Sequence, residues 1–279
     1  MGTLFIIGTP IGNLGDLSPR AAELLRTVDL LVAEDTRVTR KLLNHLDATT
    51  SCISYHEHSN PAQLERVLDA LESGDVAQVT DAGSPTVSDP GASLVEAAAS
   101  RGHDVVGVPG PSAITTAISI SGMPGDRFTF LGFLPRKSPE RRSVLSGAAY
   151  ETGTLVAFET PQRVLGALED IDSALGERRI AVCREMTKLH EEVFRGTASE
   201  AIQYFSGGRV RGEFVLVIEG ASEQTTEISD ETITESIANL LDVLSGRSLV
   251  EAVVEATGAP RRRVYRLVTG SQTDKAADS

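Results

Sequence analysis

Two adjacent carboxylates and a guanidinium stand together in Val32-Ala33-Glu34-Asp35-Thr36-Arg37, at the end of a short aliphatic run. A carboxylate at a strand end can take the proton of a hydroxyl nucleophile. Glu34 and Asp35 are therefore candidate bases, and Arg37 a candidate orienting or phosphate-binding partner. The same residues also suit a helix N-cap with an internal ion pair, which needs no substrate. A second charged strand end, Arg184-Glu185-Met186-Thr187-Lys188, contributes Lys188, which becomes a base if burial lowers its pKa.

Three loops carry the glycine and proline that let backbone approach a ligand. Gly8-Thr9-Pro10-Ile11-Gly12-Asn13-Leu14 has neither the Gly-x-Gly-x-x-Gly of a dinucleotide site nor the Gly-Lys-Ser/Thr of a phosphate loop. Thr80-Asp81-Ala82-Gly83-Ser84-Pro85-Thr86-Val87-Ser88-Asp89-Pro90-Gly91 combines permissive backbone with hydrogen-bonding side chains. Within it Asp89 reads as an N-cap and Pro90 as the first helical residue, which leaves Asp81 to Val87 for a ligand. In Pro109-Gly110-Pro111-Ser112-Ala113 a helix start offers free N–H groups, and turn chemistry explains the segment equally well. Residues 127–142 hold five basic residues, Arg127, Arg136, Lys137, Arg141 and Arg142, against Glu140 alone. That stretch is either a solvated face or the place where an anionic polymer docks.

The elements that would carry these loops alternate. Thr3–Gly8, Val28–Ala33, Asp75–Thr80 and Asp104–Val108 read as strands, with helical spacing over Ser18–Thr27, Thr36–Leu46, Pro61–Ser73 and Gly91–Arg101. Such alternation predicts a mostly parallel sheet with helices on both faces. Ser121-Gly122-Met123-Pro124-Gly125-Asp126 stops the helix that starts at Ser112 and reads as a linker. A second alternating set follows, with strands at Arg127–Phe133, Gly153–Phe158, Arg178–Arg184 and Glu213–Glu219 and helices at Pro139–Ala149, Pro161–Leu175 and Ser199–Phe205. The unbroken apolar run Phe214–Ile218 marks an internal strand. Three short helical patterns, Ile233–Leu244, Leu249–Thr257 and Arg261–Val268, end the chain. The expected organisation is an α/β domain over 1–120, a second over 121–222 and a helical appendage over 228–279.

Composition narrows the function classes. The 279 residues carry 26 Lys and Arg against 39 Asp and Glu, a net charge of −13, with 41% hydrophobic and 23% charged residues. This is a globular composition, and its sign argues against a whole-surface grip on nucleic acid or anionic lipid. No apolar stretch reaches the ~20 residues of a membrane span, and the N-terminus lacks a basic signal-peptide start. Cys52 and Cys183 lie far apart, and His56 and His58 flank Glu57 without an evident third ligand, so neither a disulfide framework nor a metal is expected. These features read as a cytoplasmic, soluble protein.

Taken in order, the loops resemble the tetrapyrrole methylase superfamily of S-adenosylmethionine-dependent methyltransferases, and within it the RsmI family of 16S rRNA (cytidine-2′-O)-methyltransferases. The resemblance covers about residues 2–220. It rests on Gly8–Leu14, Ala33–Arg37, Asp81–Pro85 with Asp89-Pro90-Gly91, Pro109–Ala113, Gly132-Phe133-Leu134-Pro135, Arg184–Lys188 and Gly212-Glu213-Phe214-Val215-Leu216. The tail, with Arg261-Arg262-Arg263-Val264-Tyr265, resembles the family's helix-turn-helix-like region. The resemblance implies two α/β domains with S-adenosylmethionine in the cleft between them, a homodimer, and 16S rRNA of the small ribosomal subunit as partner. It implies cofactor contacts at Pro10, Asp81, Ala82, Gly83, Ser84, Pro85, Val87, Ser112, Ala113, Glu159, Met186, Gly212 and Glu213. Ser84 stands where the superfamily has Asp, with an acid earlier at Asp81, and Glu159 and Met186 are chemically unlike their counterparts. Asp35 or Glu34, with Arg37, or else Lys188, would activate the ribose hydroxyl, while Arg136, Lys137, Arg141 and Arg142 would meet the RNA. A tetrapyrrole or other small-molecule methyltransferase, and a non-catalytic RNA-binding module, stay open as alternatives.

Overall fold

The computed structural model describes residues 2–56, 59–208, 210–222, 230–241, 244–257 and 264–268. The chain forms two compact units, Met1–Ala221 and Ser222–Ser279. The first unit opens with β1 (Thr3–Ile7), α1 (Pro19–Thr27), β2 (Leu30–Ala33), α2 (Thr36–His45), β3 (Cys52–Ser54), α3 (Pro61–Ser73), β4 (Val76–Val79), α4 (Ala92–Ser100), β5 (Asp104–Val108) and α5 (Ala113–Ser121). Side-chain caps fix several helix starts: Ser18 accepts from the Ala21 N–H, and Asn60 and Gln63 form a capping box before α3. The five strands pair in parallel in the order β3-β2-β4-β1-β5. One face packs Ile7, Leu31 and Val79 against Leu25 and Leu43, the other Leu4 and Val76 against Leu68, Leu71 and Leu94. Burial on both faces is why these strands read as short continuous apolar runs.

The unit continues with β6 (Phe128–Phe133), α6 (Ser138–Gly147), β7 (Thr154–Glu159), α7 (Val164–Leu175), β8 (Arg179–Arg184), β9 (Glu192–Thr197), α8 (Ala198–Ser206) and β10 (Phe214–Ile218). Their sheet runs β6-β7-β10-β8-β9, so the apolar strand β10 is internal, as its sequence predicts. The sheet is not mostly parallel. Only β6 and β7 run parallel, and β10 pairs antiparallel with both neighbours. β9 pairs antiparallel with β8 as an unexpected edge strand. Its charged residues hide it from a hydrophobicity pattern, yet Arg195 has a role, donating to the carbonyls of Ser121 and Ile120 at the end of α5.

α5 joins the two sheets. It belongs to the first half in sequence, yet Ile114, Ala117 and Ile118 pack on Val156, Ala181, Cys183 and Val215 of the second sheet. The opposite face of that sheet is covered by α6, α7 and α8 through Leu145, Leu168, Ile171 and Phe205. The second unit has its own small core, in which Ile233 and Ile237 of α9 (Asp230–Leu240) meet Leu249 and Val253 of α10 (Gly246–Thr257) and Val264 and Val268. Residues 264–268 are helical, while Arg261, Arg262 and Arg263 lie outside the described residues. Among the described residues no helix is long and apolar enough to cross a membrane.

Leu216 sits fully buried at the centre of β10. Leu216→Ala should destabilise the first unit by about 2–5 kcal/mol, read as a fall in the urea midpoint with the m-value unchanged.

Candidate active site

In an open α/β sheet, ligands sit beyond the carboxyl ends of the strands where the strand order reverses. In the first sheet β4 and β5 flank β1, so the loops after β1, β4 and β5 converge there. A cavity of about 560 Å³ opens at this point and is closed from the other side by the ends of β7, β8 and β10. Its lining contains eleven of the thirteen expected cofactor contacts: Asp81, Ala82, Gly83, Ser84, Val87, Ser112, Ala113, Glu159, Met186, Gly212 and Glu213. Pro10 and Pro85 are absent from it; Ile11 lines the cavity beside the former, and Pro85 is buried in the loop itself.

The β4 loop is shaped by paired backbone. Thr9 and Gly83 exchange N–H···O bonds of 2.8 and 3.1 Å, and the Thr9 hydroxyl donates to the Thr80 carbonyl at 3.1 Å. Gly83 takes φ +84, a conformation side chains rarely adopt, and a Cβ there would meet only Ile11 and the Pro111 carbonyl at 3.6 and 3.9 Å. The result is an open cradle in the wall of the cavity.

Three carboxylates line the cavity on the side of the first sheet: Glu34, Asp81 and Asp89. Burial, then the charge of Asp81, raises the pKa of Glu34. Burial likewise raises Asp81, although its Oδ1 accepts from the Asp35 N–H at 3.1 Å. Asp89 moves furthest, to about 6, through burial and then the charge of Glu34. Asp89 is not the N-cap that Asp-Pro suggests. α4 begins at Ala92 with Gly91 before it and no side-chain cap, which leaves the Asp89 carboxyl to the cavity.

The other expected catalytic groups lie outside the lining. Asp35 caps α2, accepting from the Arg37 N–H at 2.8 Å, and pairs with the Arg37 guanidinium at 2.6 Å. Bonds from that guanidinium and then from the backbone N–H hold its pKa at about 2, which makes Asp35 a weak base. The condition placed on Lys188 is not met. Burial pulls its ammonium down, but bonds to Glu213 and Glu185 at 2.8 and 2.9 Å outweigh that, and the net shift is upward. Lys188 stays charged. It also lies against the β1 loop, where a Cβ on Gly12 would fall 2.6 Å from its Cγ.

Arg141 needs correction as an RNA contact. It is buried, its Nε donates to Asp170 Oδ2 at 2.7 Å, and its NH1 and NH2 donate to the carbonyls of Pro135 and Gly166 at 3.3 and 3.0 Å. A guanidinium spent on these acceptors is not offered to phosphate. Arg136, Lys137 and Arg142 are exposed. Glu159 lines the cavity, but its carboxylate has no exposure and binds Arg163, with Nε donating at 2.7 Å. The sequence did not point to the aromatic wall of Phe128, Phe133 and Phe158, although Phe128, Phe130 and Phe133 stand within six residues of one another.

Against this geometry the similarities are consistent. Solved structures titled cobalt precorrin-4 methyltransferase and uroporphyrin-III-C-methyltransferase from Thermus thermophilus superpose with TM-scores of 0.59 and 0.54 at 17% and 20% identity. Each covers 78% of this chain and 94% of its own. The fold is that of these methyltransferases. A family model described as tetrapyrrole (corrin/porphyrin) methylases matches residues 3–202. Proteins named ribosomal RNA small subunit methyltransferase I match at 43% identity in Synechocystis sp., over 98% of this chain and 100% of the relative. They match at 39% in Bacillus subtilis over 95% and 93%, and at 47% in Thermotoga maritima over 79% and 99%. The chain belongs to the tetrapyrrole methylase family and, within it, to the ribosomal RNA small subunit methyltransferase I group, the RsmI family.

Asp89 binds its proton more tightly folded, at about 6, than unfolded, near the ordinary 3.8. Stability therefore falls as pH rises through that window, and ionised Asp89 is a liability above it. Asp89→Asn should raise Tm at pH 8, and the gain should vanish below about pH 4 in a calorimetric series.

Proposed function

We propose that the chain transfers the methyl group of S-adenosylmethionine to the ribose 2′-hydroxyl of a cytidine in 16S rRNA of the small ribosomal subunit. The observation that carries this reading is the cavity in which a glycine cradle, three carboxylates and an aromatic wall meet. Its residues fit the cofactor: a molecule with ammonium and sulfonium charges finds carboxylates, and its flat adenine finds apolar side chains such as Ile114 and Val215. When bound, that cofactor supplies an electrophilic methyl group, and the chain supplies alignment and proton transfer.

Each carboxylate then has a task. Asp81, steadied by the Asp35 N–H, is placed to hold a cationic group. Glu34 and Asp89, both raised by burial and by neighbouring carboxylate charge, would accept the ribose proton at a carboxylate oxygen as the C–O bond forms and the methyl–sulfur bond breaks. Half-burial suits them to it, since a base is most useful near the working pH, where it is still ionised yet binds a proton strongly. Lys188 keeps the β8 loop folded through Glu185 and Glu213 and takes no proton. Outside the cavity, exposed Arg136, Lys137 and Arg142 supply the phosphate contacts.

Tritium transfer from labelled cofactor to 30S subunits and to naked 16S rRNA, followed by mapping of the label, tests the assignment. Label on a base, or none in either RNA, defeats it. In single-turnover measurements the wild-type rate should fall as pH drops through about 6. Asp89→Asn should lose roughly 10²–10⁴-fold in rate and the limb with it, whereas an unchanged pH profile would move the role elsewhere. Arg136→Ala with Arg142→Ala should weaken RNA binding and flatten its salt slope by roughly one unit per lost contact, with affinity for S-adenosylhomocysteine unchanged.

A further inference from the structure

β6 contains an irregularity that the proton chemistry does not use. Its register against β7 runs Phe128–Thr154, Thr129–Leu155 and Phe130–Val156, then jumps to Phe133–Phe158. Leu131 and Gly132 together therefore oppose Ala157 alone, which is a β-bulge, and Gly132 stands in it at φ +66, a conformation glycine adopts without strain. In an unbroken strand Phe133 would share the face of Thr129 and Leu131. Leu131 packs into the core under α6 and α7, whereas Phe130 and Phe158 face the other way. The extra residue turns Phe133 onto the Phe158 side. Its ring stands 5.4 Å from that of Phe158 at 64°, and Phe158 is in turn 4.9 Å from Phe130.

The cost of this turn is visible in solvent. Phe133 is 55% exposed, in the wall of the cavity that also holds Glu34 and Asp89. A ring braced by Phe158 and more than half exposed has surface left to stack on a flat ligand. The chain then continues Leu134-Pro135-Arg136-Lys137, so exposed cations follow the exposed ring within four residues. Ring and cation side by side match a nucleotide, which brings a base and a phosphate together. For a ribose hydroxyl to reach the carboxylates its nucleotide must leave the RNA stack, and the base then needs a new partner.

We infer that Phe133, turned by the bulge and backed by Phe158, is the stacking platform for the unstacked nucleobase of the target nucleotide. The inference rests on the RNA reading above and names the residue that positions the base while the ribose faces Glu34 and Asp89.

The test is steady-state methyl transfer to 30S subunits by the full chain and by Phe133→Ala and Phe133→Tyr, with calorimetric titration of S-adenosylhomocysteine and sedimentation equilibrium on each. Phe133→Ala should raise KM for the subunit by on the order of 10–100-fold, more than it lowers kcat. Phe133→Tyr, which keeps the ring, should restore wild-type KM, and cofactor affinity should not change. An unchanged KM in Phe133→Ala overturns the platform while leaving the RNA reading intact. A parallel loss of S-adenosylhomocysteine affinity assigns the ring to the cofactor's adenine, and a change of oligomeric state assigns it to a contact between copies. Either result overturns the inference. A wild-type chain that labels no RNA overturns both readings.

Discussion

Three carboxylates that repel one another are held in one wall of the cavity, and the geometry of the loops around the first sheet follows from that constraint. Glu34 follows β2 and Asp89 lies in the loop after β4; the charge of Asp81 raises the proton affinity of Glu34, and the charges of Glu34 and Asp81 raise that of Asp89, each beyond what burial does alone. Nothing in that trio favours its own assembly, so the surrounding backbone must impose it. The β4 loop does so by an unusual path, with Gly83, Thr86, Ser88 and Gly91 all at positive φ. For Thr86 and Ser88 such a backbone costs roughly 1–3 kcal/mol each. The loop is over-determined at both ends, by the Thr9–Gly83 pair at its start and by the buried Gln78 side chain donating to the Pro90 carbonyl at 3.0 Å near its finish. The strain lies where the carboxylates are presented, and the sheet cores offset it.

A wall of this kind is useful only if the opposite wall keeps its distance. α5 sets that distance because it leaves the first sheet and packs on the second, so Ser112 and Ala113 at its start are fixed relative to Met186 and Val215. The second sheet repeats the device of strained residues beside the cavity: Glu185 and Thr187, on either side of Met186, are both at positive φ. Lys188 holds that loop by bonding Glu185 and Glu213, and Gly12 lets the β1 loop approach it closely. A lysine at a strand end near a cofactor site invites a catalytic reading. Its two carboxylate partners make it a clasp.

What the sequence showed and what it concealed divide along a physical line. Strand and helix types were legible wherever one layer decides burial, as in α3 with Val67, Leu68 and Leu71 inside, or β10 with every residue buried. Strand direction in the second sheet was not, since an apolar run is the same for parallel and antiparallel neighbours. The short β8–β9 connection, residues 185–191, would have indicated an antiparallel pair, but β9 itself was hidden by its charged residues. The loops that line the cavity were legible through glycine, proline and acid content. The roles of single charged residues were not, because Asp35, Asp89, Arg141 and Lys188 differ in partner and burial rather than in local sequence. The side of the sheet on which Phe133 falls could not be read either, since one inserted residue reverses it.

Arg141 shows how a residue mistaken for a ligand contact still bears on binding. Its guanidinium reaches the Pro135 carbonyl while Arg163 reaches the neighbouring Leu134 carbonyl at 2.8 Å. Asp170 neutralises Arg141 and also accepts from Ser138 at the start of α6. Two cations are therefore used inside the protein to fix the backbone that displays Arg136 and Lys137 outside it. In a chain of net charge −13 this bears on the proposed RNA docking, because long-range attraction cannot bring RNA to the surface. Over a Debye length of about 8 Å only the nearest charges act, so a few exposed cations guide RNA only if their position beside the cavity is fixed. Leaving Arg141 buried without Asp170 would cost about 3–5 kcal/mol, so the loop is held by an interaction the fold cannot readily surrender. On the proposed reading, rigid display of a small local patch takes the place of a broad positive field.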